Sequence, residues 1–296
     1  MTQAQTRTPA VSSGVLPSIP PRPADGHKGT FGKVILIGGS PGMSGSISLS
    51  SVAALRSGSG LVTAIVPKSI QPIVAGYEPS LMTIGMEEDP AEGLLPVPLG
   101  KLTQMADGKD AIGCGPGLGR STAAVQLTRD LLQNAACPLV LDADALNVVA
   151  EHGLISEKGL CQCVITPHPG EFSRLTGLPI GEIESQREEH AMEYARRHSV
   201  IVVLKGPGTV VTDGHRCFVN NTGNSGMATG GSGDVLTGIV TSLLGQRMPA
   251  FEAAAIAVHV HGLAGDIAAD KLSERGMIAS DILKFLPDAW KKLESR

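Results

Sequence analysis

The sequence predicts an α/β fold of three layers, with helices on both faces of a mostly parallel central sheet. Two observations carry this. After residue 30, short β-branched runs alternate with longer helical stretches, a strand-then-helix rhythm repeated along the chain. The strand candidates are also apolar nearly throughout rather than alternating, as expected of strands covered on both faces.

Taken in order, a strand is predicted at 33–38, where Lys-Val-Ile-Leu-Ile runs into glycine, followed by a helix at 45–57. The next strand, Leu-Val-Thr-Ala-Ile-Val at 61–66, stops at Pro67. Strand 111–115 leads to helix 122–134, and strand 139–142 to a helix beginning near Ala145. Strand 163–166 precedes the charge-rich helix 183–198, read as a solvated face. Strand 200–205 is followed by 209–212 and 216–220, which flank Asp213-Gly214-His215 and read as an antiparallel hairpin. Helices at 234–244, 251–269 and 280–293 close the chain. Residues 1–25, rich in Thr, Ser and Pro without a continuous apolar run, read as a disordered leader, and 26–296 as one domain.

Composition narrows the function. No apolar run reaches the roughly 18 residues of a membrane span. The net charge of −4 comes with scattered Lys and Arg, and one Trp, two Tyr and five Phe offer little for stacking on bases. Neither membrane nor nucleic acid is an expected partner. Cys114, Cys137, Cys161, Cys163 and Cys217 are odd in number and lie mostly in apolar runs, which fits reduced thiols in a cytoplasm. Cys161 and Cys163, expected on one strand face, lack the second pair a zinc site needs. His259 and His261, two apart on a helix, point in nearly opposite directions and cannot share a metal.

In open sheets of this kind ligands bind beyond the carboxyl ends of the strands. The glycine-rich segments after 38, 113, 205 and 220 should therefore converge on one cleft. A Walker A loop is absent, since Gly32-Lys33 continues into a strand, and Gly113–Gly119 misses the dinucleotide-loop spacing. The most informative segment is 221–234, where Gly230-Gly231-Ser232-Gly233 precedes Asp234 at a helix start. Helix N-termini present unpaired N–H groups and partial positive charge to phosphate. Glycines let that backbone approach a ligand. An Asp at this edge can take a proton from a hydroxyl beside the transferred phosphate. The bland alternative makes Asp234 an N-cap and the glycines a tight turn.

This helix start resembles the anion hole and catalytic base of ribokinase-like kinases. The longer set resembles one branch of them, the ADP/ATP-dependent (S)-NAD(P)H-hydrate dehydratases. The matching pieces, in the family's order, are 27–33, 113–119, 141–147, Thr166-Pro-His-Pro-Gly-Glu171, Lys205-Gly-Pro-Gly-Thr209 and 221–234.

The resemblance implies a three-layer α/β/α ribokinase-like fold and repair of hydrated NADH and NADPH (NADHX and NADPHX) by phosphorylation and elimination. It implies nucleotide contacts at Lys205, Gly206, Pro207, Gly208, Thr209 and Gly233, an anion hole at Gly230, Gly231, Ser232 and Gly233, and catalysis by Asp234. Ser46, Gly117, His168 and Asp234 would contact the hydrated substrate; many relatives carry Ala at position 46, so that contact is expected through the backbone.

Lys205 could instead snorkel to the surface, and His168, held between two prolines, could be structural. Asp142 and Asp144, two apart at a strand end, could order a Mg2+–water cluster or cap the following helix. The implied co-substrate is ADP or ATP with Mg2+, the assembly a homotetramer, to which apolar 251–269 could contribute as an interface or as core. The leader is too short for the epimerase domain fused in many relatives, so a separate epimerase chain is expected. The rival readings are a vitamin-precursor alcohol kinase, whose phosphorylated product would be stable, and a dinucleotide sensor without turnover.

Overall fold

The computed structural model describes residues 11–12, 15–89, 93–155 and 162–295. The chain runs through β1 (Val11–Ser12), β2 (Lys33–Ile37), α1 (Ser44–Arg56), β3 (Leu61–Pro67), α2 (Gln71–Ala75) and β4 (Met82–Met86). A small ladder of β5 (Glu88–Asp89) and β6 (Gly93–Leu94) leads to α3 (Leu99–Ala106), β7 (Ala111–Cys114), α4 (Thr122–Asn134) and β8 (Leu139–Leu141). Next come α5 (Ala143–His152), β9 (Cys163–Ile165), α6 (Pro169–Thr176), α7 (Ile180–Ser185) and α8 (Arg187–His198). The last elements are β10 (Ile201–Leu204), β11 (Val210–Thr212), β12 (Arg216–Val219), α9 (Ser232–Gly245), α10 (Ala250–Leu272) and α11 (Ala279–Glu294).

Ten strands form one sheet in the order β1-β12-β11-β10-β9-β8-β7-β2-β3-β4. All pairings are parallel except those of β11 with β10 and β12, the expected hairpin at one end. From β2 the chain steps outward to β3 and β4, then returns to β7 and steps the other way. The point of reversal therefore lies between β2 and β7, and in open sheets of this kind ligands bind beyond the carboxyl ends at such a point.

Both sheet faces are buried, which explains the unbroken apolar strands. Along β2, Val34 and Leu36 face α1, α9, α10 and α11, whereas Ile35 and Ile37 pack with residues of α4, α5, α6 and α8. Helix α10 is core rather than surface: Phe251, Ile256, Val260 and Ala264 are all buried. No helix among the described residues is long and apolar enough to cross a membrane.

The differences from expectation are local. The single helix expected at 183–198 is two, broken at Gln186 (φ −142°), which turns Arg187 back toward β10. The elements α2, β4, α3 and α6 carry short or mixed patterns and were not expected. Within the segment read as a leader, Val11 and Ser12 pair with Arg216 and Cys217, and Arg22 stacks on Phe31. Cys114 and Cys217 are buried thiols that burial pushes up to about 12. The expected pairing of Cys161 with Cys163 on one face lies outside the described residues, because Cys161 is not described.

Candidate active site

The loops after β2 and β7 meet at the reversal point. Gly39 N–H donates to Pro116 O (2.8 Å), and a side chain on Gly38 would strike the same carbonyl. Gly117 (φ +63°) lies against Met43 and Ser46 of the loop and helix opposite. This places two of the expected substrate positions, Ser46 and Gly117, side by side.

The glycine run forms the next wall. Gly231, the N-cap of α9, has φ +95°, and a Cβ there would lie 2.7 Å from Leu49 and 3.0 Å from Ala279, so glycine alone fits. The first amide of α9 to reach back a full turn is that of Val235, to Gly231 O (3.1 Å). The N–H groups of Gly233 and Asp234 precede it and belong to the first turn, where donors lack helical acceptors. Ser232 does not offer its hydroxyl to a ligand. That hydroxyl donates to Met227 O (2.7 Å), and the Ser232 N–H donates to Thr229 O (3.4 Å).

Asp234 stands at the third residue of α9 and makes no capping bond. The bland reading of this acid as an N-cap therefore fails: the N-cap is Gly231, and the side chain at position 234 is free for other work. The Ser46 side chain lies near enough to pull the Asp234 pKa down, so Ser46 reaches Asp234 through its side chain. Burial, with the Asp142 carboxylate nearby, holds the Asp234 carboxyl up at about 6, against the Ser46 side chain and Lys205, which pull it down. A carboxylate with its pKa raised toward neutrality is a better proton acceptor than an exposed one.

Lys205 does not snorkel. Its ammonium turns inward to Asp142 Oδ1 (2.7 Å), with Glu171 Oε2 at 3.8 Å, and lies 3.1 Å from where a Cβ on Gly233 would stand. Burial lowers the lysine's pKa, but the Asp142 and Glu171 carboxylates outweigh it and the net direction is up, so Lys205 is a fixed cation beside the glycine hole. The same surroundings raise Glu171, chiefly through burial.

The loop following Lys205 uses two left-handed glycines, Gly206 (φ +143°) and Gly208 (φ +65°), on either side of Pro207. Thr209 closes it by donating to Gly206 O (2.8 Å). Arg187, which the sequence reading missed, supports this loop from below by donating to Leu204 O (2.9 Å) and Lys205 O (3.1 Å). Its signal was hidden inside a helix read as solvated.

His168 is the N-cap of α6, with Nδ1 accepting from Gly170 N–H (3.0 Å) and Glu171 N–H (3.3 Å). Glu171 returns the bond to His168 N–H (2.8 Å), completing a capping box. With Nδ1 an acceptor, the neutral ring carries its proton on Nε2, on a half-exposed side chain. Burial, then Lys205 and Arg174, lower its pKa, which keeps that form neutral. The capping role is structural, and Nε2 lies 3.5 Å from Glu171 Oε1.

Asp142 and Asp144 do not share a strand face. The chain turns through Ala143 (φ +49°), leaving Asp142 at the N-cap of α5 without a side-chain cap bond and Asp144 in its first turn. Both oxygens of Asp142 are taken, by Lys205 and by the Thr237 hydroxyl (2.7 Å each). Asp144 accepts from Gly119 N–H (2.9 Å), and its other oxygen has Arg120 at 3.8 Å. No group of three or more His, Cys, Asp or Glu among the described residues could cage a metal. The donor set fits Mg2+ only as an ion carried on phosphates and reached from Asp144 through water.

The family model described as NAD(P)H-hydrate dehydratase matches residues 34–288. The chain is 44% identical to a bifunctional NAD(P)H-hydrate repair enzyme of Moorella thermoacetica, over 93% of this chain and 52% of that protein. It thus spans about half the length of the repair enzymes it matches. With the ADP-dependent (S)-NAD(P)H-hydrate dehydratase of Bacillus subtilis it shares 34% identity, over 94% of this chain and 95% of that one. The crystal structure of the B. subtilis ADP/ATP-dependent enzyme, co-crystallized with ATP/Mg2+, superposes with a TM-score of 0.80 at 32% identity, covering 93% and 94% of the two chains. This chain belongs to the NAD(P)H-hydrate dehydratase family.

Proposed function

We propose that the chain dehydrates the S-epimer of hydrated NADH or NADPH, using ADP or ATP as phosphate donor. The observation that carries this reading is Asp234: an acid on the first turn of α9, uncommitted to capping, between a glycine-lined set of amides and a fixed lysine. That arrangement serves a hydroxyl attacking a terminal phosphate.

In the proposed reaction the substrate's ring hydroxyl gives its proton to Asp234 as its oxygen bonds to the terminal phosphorus. The bridging P–O bond breaks, releasing AMP from ADP. The amides of Gly230–Gly233 and the Lys205 ammonium hold the phosphate oxygens as charge moves onto them. Mg2+ on the nucleotide, with water from Asp144, would neutralise part of that charge. The ring nitrogen's lone pair then expels phosphate from the adjacent carbon. Loss of a proton from the next carbon restores the dihydropyridine. Gly206, Pro207, Gly208, Thr209 and Gly233 would hold the nucleotide. Ser46, Gly117 and the Nε2 proton of His168 would face the hydrated substrate.

The test is the near-ultraviolet absorbance of dihydronicotinamide, followed with hydrated NADH, Mg2+ and either ADP or ATP. A rise that requires nucleotide supports the reading and names the donor. No rise from folded protein, together with a stable phosphate ester from a vitamin-precursor alcohol, would replace it with a kinase. Nucleotide binding without phosphate release would indicate a sensor. The reading extends to a cytoplasmic homotetramer; light scattering checks the assembly.

A further inference from the structure

Asp142 has no part in the steps above, yet it is the most deeply placed charge of the site, 1% exposed. Its two oxygens reach two separate elements. Oδ1 holds Lys205, just past the end of β10, and Oδ2 accepts from Thr237, one turn into α9 (2.7 Å each). Thr237 could alternatively donate to Gly233 O (3.1 Å), the usual back-bond of a helical threonine. A hydroxyl has one proton, and the shorter, charge-assisted contact to the carboxylate takes it.

The backbone of Asp142 is fixed as well. Its N–H donates to Cys114 O (3.1 Å), and Gly115 (φ +127°) packs so closely on its carbonyl that a Cβ would lie 1.8 Å away. Asp142 is thus anchored to β7 and fastens together the two parts that would hold the phosphate. Without it Lys205 has other acids to turn to, Glu171 at 3.8 Å and Asp234 beyond, and neither would keep the ammonium against Gly233.

We propose that Asp142 is a positioning residue for phosphoryl transfer, clamping Lys205 to the first turn of α9 with Thr237 as the second arm. This rests on the reading of the site as a phosphate-transfer centre. Its claim on Asp142 is separate from an ordering of Mg2+, because both oxygens are committed to protein donors.

The test is a double-mutant cycle in kcat and in KM for ADP, using Asp142→Asn, Thr237→Val and their combination, with nucleotide-free thermal unfolding measured beside it. Asp142→Asn is expected to lower kcat by about a hundredfold, the order of a misplaced transition-state cation. Thr237→Val should lower it by about tenfold. The combination should match Asp142→Asn alone, because the clamp acts as a unit. Thr237→Ser should restore turnover. Wild-type kcat in Asp142→Asn, losses that multiply in the double variant, or no rescue by serine would overturn the proposal. Inactivity of the wild-type protein toward hydrated NADH would count against the functional reading instead. The same cycle, read calorimetrically as ADP–Mg2+ affinity, would then decide the clamp: coupled losses sustain it and independent ones reject it.

Discussion

Replacing Asp234 by Asn separates catalysis from stability, because the two should move in opposite directions. The asparagine keeps the shape, but it cannot take a proton. General-base catalysis contributes about 10²–10⁴-fold, so turnover should fall by that order. Stability should not fall. Asp234 sits near 6, about two units above an ordinary aspartate, and each unit is about 1.4 kcal/mol, so its ionised form costs the folded state up to ~3 kcal/mol. A raised acid contributes stability that is fully present below about pH 4 and lost as pH rises through about 6. The variant, neutral throughout, should therefore match the wild type near pH 4 and be the more stable of the two near pH 8. Activity is read as initial rate across pH, and stability as Tm in parallel. The wild-type rate should climb through about pH 6 and level off above it, and the variant should lack that limb. Near-normal turnover in Asp234→Asn, or a lower Tm at high pH, would refute the assignment of this residue as a buried base.

Three further outcomes follow from the same geometry. Ser46→Ala removes the hydroxyl that lowers Asp234, so the acidic limb should move to higher pH while the plateau rate changes less; an unmoved limb in the pH–rate profile counts against the contact. Gly231→Ala places a methyl 2.7 Å from Leu49 at φ +95°, and should cost about 1–3 kcal/mol in denaturant unfolding together with most nucleotide affinity. His168→Ser keeps a cap oxygen for α6 while His168→Ala does not. Their Tm values should differ by the equivalent of about 1 kcal/mol, whereas both should raise KM for the hydrated substrate.

Much of the fold was legible in the sequence because the sheet is buried on both faces. Continuous apolar runs as short as those at β2, β3, β7, β8, β9 and β10 suit strands sandwiched between helix layers, and the glycine segments follow directly on several of them. The helix α4 was read to the residue, since Ser121 caps it and its apolar stripe is regular. What could not be read depends on tertiary partners. The half-buried edge strand β4 and the short helix α2 bury too little to show a pattern. The break at Gln186 sits in an evenly charged stretch, and its effect is visible only as Arg187 reaching the carbonyls of Leu204 and Lys205. Likewise, Lys205, Asp142 and Thr237 are far apart in the chain, and no spacing rule joins them. Position 142 offered two readings from sequence, a cap or a metal–water contact, and the structure gives it a lysine and a threonine instead.

The central claim is that the substrate's hydroxyl leaves as phosphate rather than as water. It is tested most directly by placing a heavy-oxygen label in the ring hydroxyl of hydrated NADH and following the label through turnover with ADP and Mg2+. The label should appear in inorganic phosphate, with one AMP formed for each dihydronicotinamide restored. Label released into water, with ADP unconsumed, would contradict it.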